Sequence, residues 1–515
     1  MKRLVLAPLC LILALATAML PAGCARLPPL DARTPSRAFT DTADTSLGRA
    51  IAPMVEAHPG KSGIVALTDD LDAFAVRVLL AQAAERSLDV QYYIWQQDLS
   101  GTLLLEALHR AADRGVRVRL LLDDNNTRGL DKLLAALDAH PNIEVRLFNP
   151  FLHRRWRALG YLSDFARLNR RMHNKSFTAD GQVTIIGGRN IGDEYFGAGD
   201  FLFADLDVLA IGPVAADVAQ DFDRYWNSPS SYPAALILDP AEAAALAELG
   251  AGANLIARDP AAAEYMRQLA TSRLVQELLS GRLQFEWAVT RMLSDDPAKG
   301  LGQATEDMLL PSRLSEVLGT PQKELLLVSP YFVPTAAGVA ALADLARRGV
   351  AVSVFTNALE ATDVAVVHAG YAKRRKALLE AGIRLYEMKR EIASPRIRDR
   401  GLTGSSASSL HAKTCAVDRQ RVFIGSFNFD PRSARLNTEM GFIIDSPRLA
   451  EAMAEAFASA IPELAYEVRL APDGKLVWIE RQDGEEKVLA REPGTRFWQR
   501  LAVRLIGWLP IEWLL

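Results

Sequence analysis

Apolar residues recur along this chain in two alternating patterns. Short continuous blocks such as VRLLL at 118–122 are the mark of strands buried on both faces. Between such blocks run stretches with helical spacing. In 101–114, Leu103, Leu104, Ala107, Leu108 and Ala111 share one face, and Gly115 follows as a stop. The whole alternation occurs twice. LDVQYYIW (88–95) is matched by LLVSPYFV (326–333), AADRGVRVRLLLDD (111–124) by LARRGVAVSVFTNA (345–358), and IEVRLF (143–148) by IRLYEM (383–388). Each half therefore predicts strand, helix, strand, helix, strand: an α/β fold made of two mixed β-sheets flanked by helices.

The stretch between the halves reads differently. Segments PAEAAALAEL (240–249) and AAAEYMRQLA (261–270) are good helix formers, and LSDDPAKG (293–300) reads as a loop. The expected organisation is an export signal at 1–23, a linker at 24–60, a first domain at 61–225, a helical connection at 226–310, a second domain at 311–465 and a C-terminal segment at 466–515.

A polar skeleton is superimposed on the repeat. HNKSFTAD (173–180) and HAKTCAVD (411–418) share a His, a Lys and an Asp at the same offsets, and Gly187 with Asn190 match Gly425 with Asn428 in register. In a strand, residues i and i+2 face the same way, so His173 projects with Lys175 and His411 with Lys413. A Gly-x-x-Asn farther on lets the chain pass closely and bring an amide to the same place. Two halves related by a pseudo-twofold axis then offer two imidazoles, two ammoniums and two amides to one pocket. Such a pocket suits a phosphate: Lys and Asn hold the non-bridging oxygens, and the two His flank the phosphorus in line.

The doubled H-x-K-x4-D followed by G-x-x-N resembles the signature of the phospholipase D superfamily, over about residues 61 to 465. QYYIW, LLLDD, GGRNIGDEYFG, SPYFVP and the closing LPIEWLL are similar to the bacterial cardiolipin synthases within it. The resemblance implies two domains with the active site at their interface, and His173, Lys175, Asp180, His411, Lys413 and Asp418 as the catalytic motifs. It implies a phosphohistidine on one His while the other serves as acid and base. The family pattern makes His173 the nucleophile and His411 the acid/base, though the symmetry of the motif leaves the reverse open. Asn190 and Asn428 are the phosphate-binding amides. The two Asp follow their strands and are expected to fix turns instead of touching substrate. No metal or other cofactor is expected, since the Lys pair supplies the charge. An acidic residue after each motif is expected to orient the His of the opposite half: Glu439 for His173, and Asp205, or in its place Asp207, for His411.

The remaining residues add detail. His58, His109, His140, His153 and His368 show no metal-ligand spacing, so packing or surface roles are expected; His368 and Tyr371 resemble a family segment near the site. Cys415 is expected to be a buried strand residue pointing away from His411. The first 24 residues carry Lys2 and Arg3, an apolar run from Leu4 to Leu20, and Ala22-Gly23-Cys24. This is an export signal, and its ending resembles the lipobox of bacterial lipoproteins, which makes Cys24 the candidate lipidation site. A plain secretory signal or an uncleaved anchor is the alternative. Either way the chain is expected to be exported and membrane-associated in a bacterial cell envelope.

With half its residues apolar, the chain is globular, and a net charge of −3 argues against nucleic acid as partner. Two basic runs, 153–171 and 396–410, lead into the motifs and suit anionic headgroups. The ending RFWQRLAVRLIGWLPIEWLL places Arg496, Arg500 and Arg504 on one face and Phe497, Leu501, Leu505 and Trp508 on another. It is either a bilayer-interface helix or a helix docked on the core. The expected partners are phospholipid substrates, phosphatidylglycerol among them, and a membrane surface, with a helper protein left open. The expected activity is transfer of a phosphatidyl group to phosphatidylglycerol, forming cardiolipin. The rivals are phospholipase D-type hydrolysis of a lipid, a nucleic-acid phosphodiesterase and a catalytically inert lipoprotein scaffold.

Overall fold

A computed structural model describes residues 26–515 except 199–200, 243, 259, 391–406 and 483. The N-terminal signal, Cys24 and most of the second basic run lie outside the described residues.

Each half is built on three parallel strands. Ser87–Ile94, Arg117–Asn126 and Ile143–Phe148 pair side by side in the first half; Glu324–Val328, Ala351–Asn357 and Arg384–Met388 do so in the second. Parallel neighbours need crossovers, supplied by helices such as Leu99–Asp113 and Thr335–Arg347. Beside the first strand of each triplet lie three antiparallel strands in the same order: Ser176–Ala179, Val183–Gly187 and Asp207–Ile211, matched by Thr414–Val417, Arg421–Gly425 and Met440–Ile444. Among the described residues these two sheets have nine and ten strands. One apolar core covers the outer face of each sheet. A third lies between them, where Ile186, Val208 and Ala210 of the first half meet Ile424, Met440 and Phe442 of the second. Burial on both faces is what the continuous apolar blocks require.

The connecting stretch does more than pack. Helices Ala245–Arg258, Pro260–Thr271 and Arg273–Leu279 form as expected, but Glu286–Ala288 and Thr290–Ser294 are strands. The first adds to the edge of the first sheet against Ser62–Leu67, the second to the edge of the second sheet against Met440–Ile444. One extended run thus steps from sheet to sheet. The expected loop at 293–300 is partly this strand and partly the 3-10 turn Pro297–Leu301, with Asp295 and Lys299 buried.

Residues ahead of the first sheet are tied down as well: the Arg33 guanidinium donates to the carbonyls of Asn227, Ser228 and Ser231. Strands Ala465–Leu470, Leu476–Gln482 and Glu485–Leu489 extend the second sheet. The C-terminal helix Phe497–Gly507 docks on the second half through Val503 and Ile506, against Leu359 and Ala369. Its outer side leaves Phe497, Trp498 and Leu505 exposed, as is Trp508 just after it, so docking and amphipathicity coexist. No helix among the described residues is long and apolar enough to cross a membrane.

Asp180 and Asp418 occupy equivalent left-handed turn positions, both at φ 53°. The Asp180 carboxylate accepts from three successive amides, Glu85, Arg86 and Ser87, at 2.8–3.1 Å; Asp418 accepts from Gln322, Lys323 and Glu324 at 2.7–3.1 Å. Each motif hairpin is thereby fastened to the start of its half's first parallel strand. Asp180 is fully buried, and removing it strands those donors. Asp180→Ala should lose roughly 3 kcal/mol of unfolding free energy in a denaturant titration.

Candidate active site

The two motifs meet across the interface between the halves. His173–Lys175 and His411–Lys413 lie just ahead of strands Ser176–Ala179 and Thr414–Val417, not inside them. Their backbone is engaged by the opposite half instead. The His173 amide donates to the Thr438 carbonyl at 2.9 Å, and the His411 amide to the Ala204 carbonyl at 2.8 Å. Thr438 and Ala204 each precede a carboxylate residue that reaches back. His173 Nδ1 is 2.8 Å from Glu439 Oε2, and His411 Nδ1 is 2.5 Å from Asp205 Oδ2. Asp207 is elsewhere engaged, with Arg77 at 2.7 Å and Arg189 at 3.6 Å.

With Nδ1 occupied, each imidazole has Nε2 left for chemistry. Both rings line a cavity of about 370 Å³, together with Asn190 and Asn428. Lys175 and Lys413 are buried behind it, each ammonium donating to the carbonyl of its own motif His. The Asn190 amide is held by Ile94 N–H and by Tyr195 Oη, whereas Asn428 Oδ1 is buried with no hydrogen-bond partner among the described residues. Asp180 and Asp418 do not line the cavity; their carboxylates hold backbone amides at the turns. The motif glycines are needed for close approach. A Cβ on Gly187 would lie 2.2 Å from Asp207 Oδ1, and one on Gly425 would lie 2.2 Å from the Met440 carbonyl.

The halves are not electrostatically equal. The residue after each motif Gly sets one difference. Gly188 leaves room for Asp205, while the Ser426 hydroxyl donates to Glu439 Oε2 at 2.5 Å. Burial pushes Glu439 up to about 7, against the opposing pull of Lys175 and Ser426. Burial acts on Asp205 in the same sense, but His411, Lys413 and Arg189 outweigh it and hold that carboxyl below its ordinary range. Burial, then Lys175 and Lys413, keep His173 well below the usual imidazole value. His411 is lowered by burial and Lys413, with Asp205 opposing. Burial also brings Lys175 down to about 7 and Lys413 to about 8.

Several residues lining the cavity have no counterpart in the sequence reading. Tyr93 packs edge-on to His173 with ring centroids 4.9 Å apart, and Tyr331, at the equivalent repeat position, donates to Asp363. The register that aligns QYYIW with SPYFV would have found both. Arg432, Leu514 and Leu515 also line the cavity, Arg432 Nε donating to the Leu514 carbonyl at 2.9 Å. Nothing local in the sequence marks that contact. Behind the site, Asp295 accepts from the Glu439 amide and from Lys299 Nζ, both at 2.8 Å.

Other expectations come out differently. His368 and Tyr371 are not in the cavity; they join a buried network with Arg375, Glu387 and Glu492, and Val364 and Val367 line the cavity in their place. The first basic run is mostly internal: Arg154 and Arg157 pair with Asp124 and Asp131, Arg167 with Asp164, and Arg171 with Asp123. Cys415 is buried on the far side of its strand, where burial pushes its thiol up to about 12. Although spacing shows no metal set, folding brings His109, Asp113 and His140 together, their donor atoms within 4.8 Å of one another. The Asn142 amide donates to His140 Nδ1, however, which leaves the neutral ring's proton on Nε2, facing Asp113 Oδ1 at 3.4 Å.

The lysines make a prediction. Lys175 holds its proton less tightly folded, at about 7, than at its ordinary 10.5. Between those values the unfolded chain binds more protons, so this group makes stability rise with pH across that window and costs stability below it. Lys175→Met should therefore stabilise the protein near pH 7 by about 1–4 kcal/mol, flatten that pH dependence and abolish turnover. Calorimetry across the window checks all but the last, which an activity assay reads.

The profile described as "Cardiolipin synthase, PLD-like domain" matches residues 78–226 and 314–461, once per half. Cardiolipin synthase C of Escherichia coli is 54% identical over 474 residues, 91% of this chain and 99% of that one. An uncharacterized protein of Helicobacter pylori is 33% identical over 421 residues, 80% of this chain and 82% of its own. Among solved structures, a phosphatidylserine synthase of Haemophilus influenzae Rd KW20 superposes with a TM-score of 0.53 at 15% identity, covering 92% of this chain and 100% of that one, a likeness of fold. The chain belongs to the phospholipase D superfamily, in the family of the cardiolipin synthase PLD-like domain, and is an enzyme of its phosphatidyltransferase branch.

Proposed function

We propose that this chain forms cardiolipin by moving a phosphatidyl group from one phospholipid onto the primary alcohol of phosphatidylglycerol. One observation carries the reading: two imidazoles face one cavity, each with Nδ1 held by a carboxylate of the other half. The extensive identity to a cardiolipin synthase supports the lipid assignment.

Charge supports one assignment of the two roles. A nucleophile must be neutral, and His173 is the imidazole whose protonation is opposed most strongly. Its partner Glu439, raised to about 7, does little to hold a positive ring. An acid must be able to carry a proton, and the ionised Asp205 stabilises that form of His411. In the first step His173 Nε2 bonds to phosphorus, the bond from phosphorus to the leaving alkoxide breaks, and His411 gives the alkoxide its proton. In the second, His411 takes the proton of the acceptor alcohol, whose oxygen bonds to phosphorus as the P–N bond breaks. Lys175 and Lys413 supply positive charge behind the phosphate, and the Asn190 and Asn428 amides bind its oxygens. The N-terminal pattern supports export and attachment to a membrane in the cell envelope, with Cys24 as the lipidation site.

Two experiments test this. In a bacterial host without its own cardiolipin synthases, mass spectrometry of extracted lipids should find cardiolipin with the intact chain and none with His173→Ala or His411→Ala. Labelled headgroups then identify the donor. Phosphatidic acid without cardiolipin would replace transfer by hydrolysis. Separately, a substrate with a p-nitrophenolate leaving group needs no acid in the first step. With it, His411→Ala should release one burst equivalent and stay phosphorylated on His173, while His173→Ala gives no burst. The opposite pattern would exchange the roles.

A further inference from the structure

A second cavity, of about 510 Å³, lies between the C-terminal helix Phe497–Gly507 and the second half. It is distinct from the catalytic cavity and shares no lining residue with it. Three guanidiniums line it, none with a carboxylate partner among the described residues: Arg491 and Arg504, and Arg500, which donates to the carbonyl and the hydroxyl of Thr495. Its remaining cations are committed: Arg375 to Glu387 and Glu492, Lys373 to Glu512, and Lys475 to Asp473. Glu492 is the one carboxylate in the lining, and Arg375 already neutralises it. The floor is apolar, formed by Ala369, Trp478 and Val503.

We propose that this cavity is a non-catalytic binding site for the phosphate headgroup of an anionic phospholipid drawn from a bilayer. Guanidinium forks without a carboxylate partner match the geometry of phosphate oxygens. The source is read from the outer side of the helix. Phe497, Trp498 and Trp508 are 61%, 72% and 77% exposed, and Trp508 also lines the cavity. Aromatic rings beside arginines are the combination that settles at the headgroup level of a membrane, rings inward and charges at the phosphates. The net charge of −3 gives the whole molecule no attraction to an anionic surface, so the attraction must be local.

The position links lipid binding to the catalytic mouth. Helix Ala365–Ala372 separates the cavities: Val367 lines the catalytic one, and Ala369 and Ala372 the basic one. The chain leaving the C-terminal helix continues to Leu514 and Leu515 in the catalytic wall. A headgroup held here sets the catalytic cavity against the surface that supplies its substrates. The proposal shares with the proposed function only the class of ligand, and its test reads binding, not turnover.

The full-length protein is floated with vesicles of phosphatidylcholine alone or mixed with phosphatidylglycerol. Arg491→Glu with Arg504→Glu is compared with Arg267→Glu and Arg273→Glu, an equal charge change at exposed positions on the connecting helices. The first pair should weaken binding to anionic vesicles at least about tenfold and the control pair less than about twofold, given the usual attraction of each basic residue near such a surface. Arg491→Gln with Arg504→Gln adds no repulsion and should still lose about threefold or more, which covers a misfolded charge reversal. Equal losses in test and control pairs, or no loss in either, would overturn the proposal. So would full release of the vesicles by inorganic phosphate at constant ionic strength, which would make the site one for soluble anions. Failure of cardiolipin formation in cells would leave these binding results unchanged, so the two readings fail separately.

Discussion

The crossed anchoring of the two histidines is the constraint on which the rest of this structure depends. Each motif His gives its amide to a carbonyl of the other half and receives that half's next carboxylate at Nδ1. Neither half supplies both an imidazole and the carboxylate that holds it. The apolar core between the sheets and the extended run that joins their edges keep the halves in register. The tight turns at Asp180 and Asp418 then fix where each motif ends. Asp295 and Lys299, in the connecting stretch, fasten the backbone of Glu439.

Burying so many titratable groups in one place is costly. Two lysines, two carboxyl side chains and two imidazoles are buried together, hydrogen-bonded to one another and to backbone carbonyls. Desolvation is the leading influence on each of them. The arrangement fits an anionic phosphate that completes the charge balance on arrival, a case of stability given up for function. It also breaks the symmetry of the repeat. Gly188 and Ser426 stand at equivalent positions, but the charge difference comes from the surroundings: burial raises Glu439 to about 7 against the pull of Lys175 and Ser426, while His411, Lys413 and Arg189 hold Asp205 low.

Much of this was legible from residues at fixed spacing. The doubled skeleton marked the histidines, lysines and asparagines, and the α/β halves followed from apolar blocks alternating with helical stretches. Other parts were not. The strands Glu286–Ala288 and Thr290–Ser294 are too short to show a period and follow a strongly helical composition. The arginines of 153–171 look like a solvated basic patch in one dimension, because their partners Asp123, Asp124 and Asp131 come from another strand and helix. His368 and Tyr371 turn inward since the helix that carries them offers its preceding turn to the cavity.

The sequence by itself determined the duplication, the two domains and which polar side chains of the repeat meet between them, because each rests on local periodicity or on offsets that a repeat preserves. Only the tertiary structure decided which half of the site is the more anionic, that the C-terminal residues wall the cavity between the halves, and that three arginines of the tail and its preceding loop have no carboxylate partner among the described residues. Those properties depend on burial and on contacts between segments far apart in the chain, and desolvation acts on a charge according to what surrounds it, which no spacing along the chain encodes.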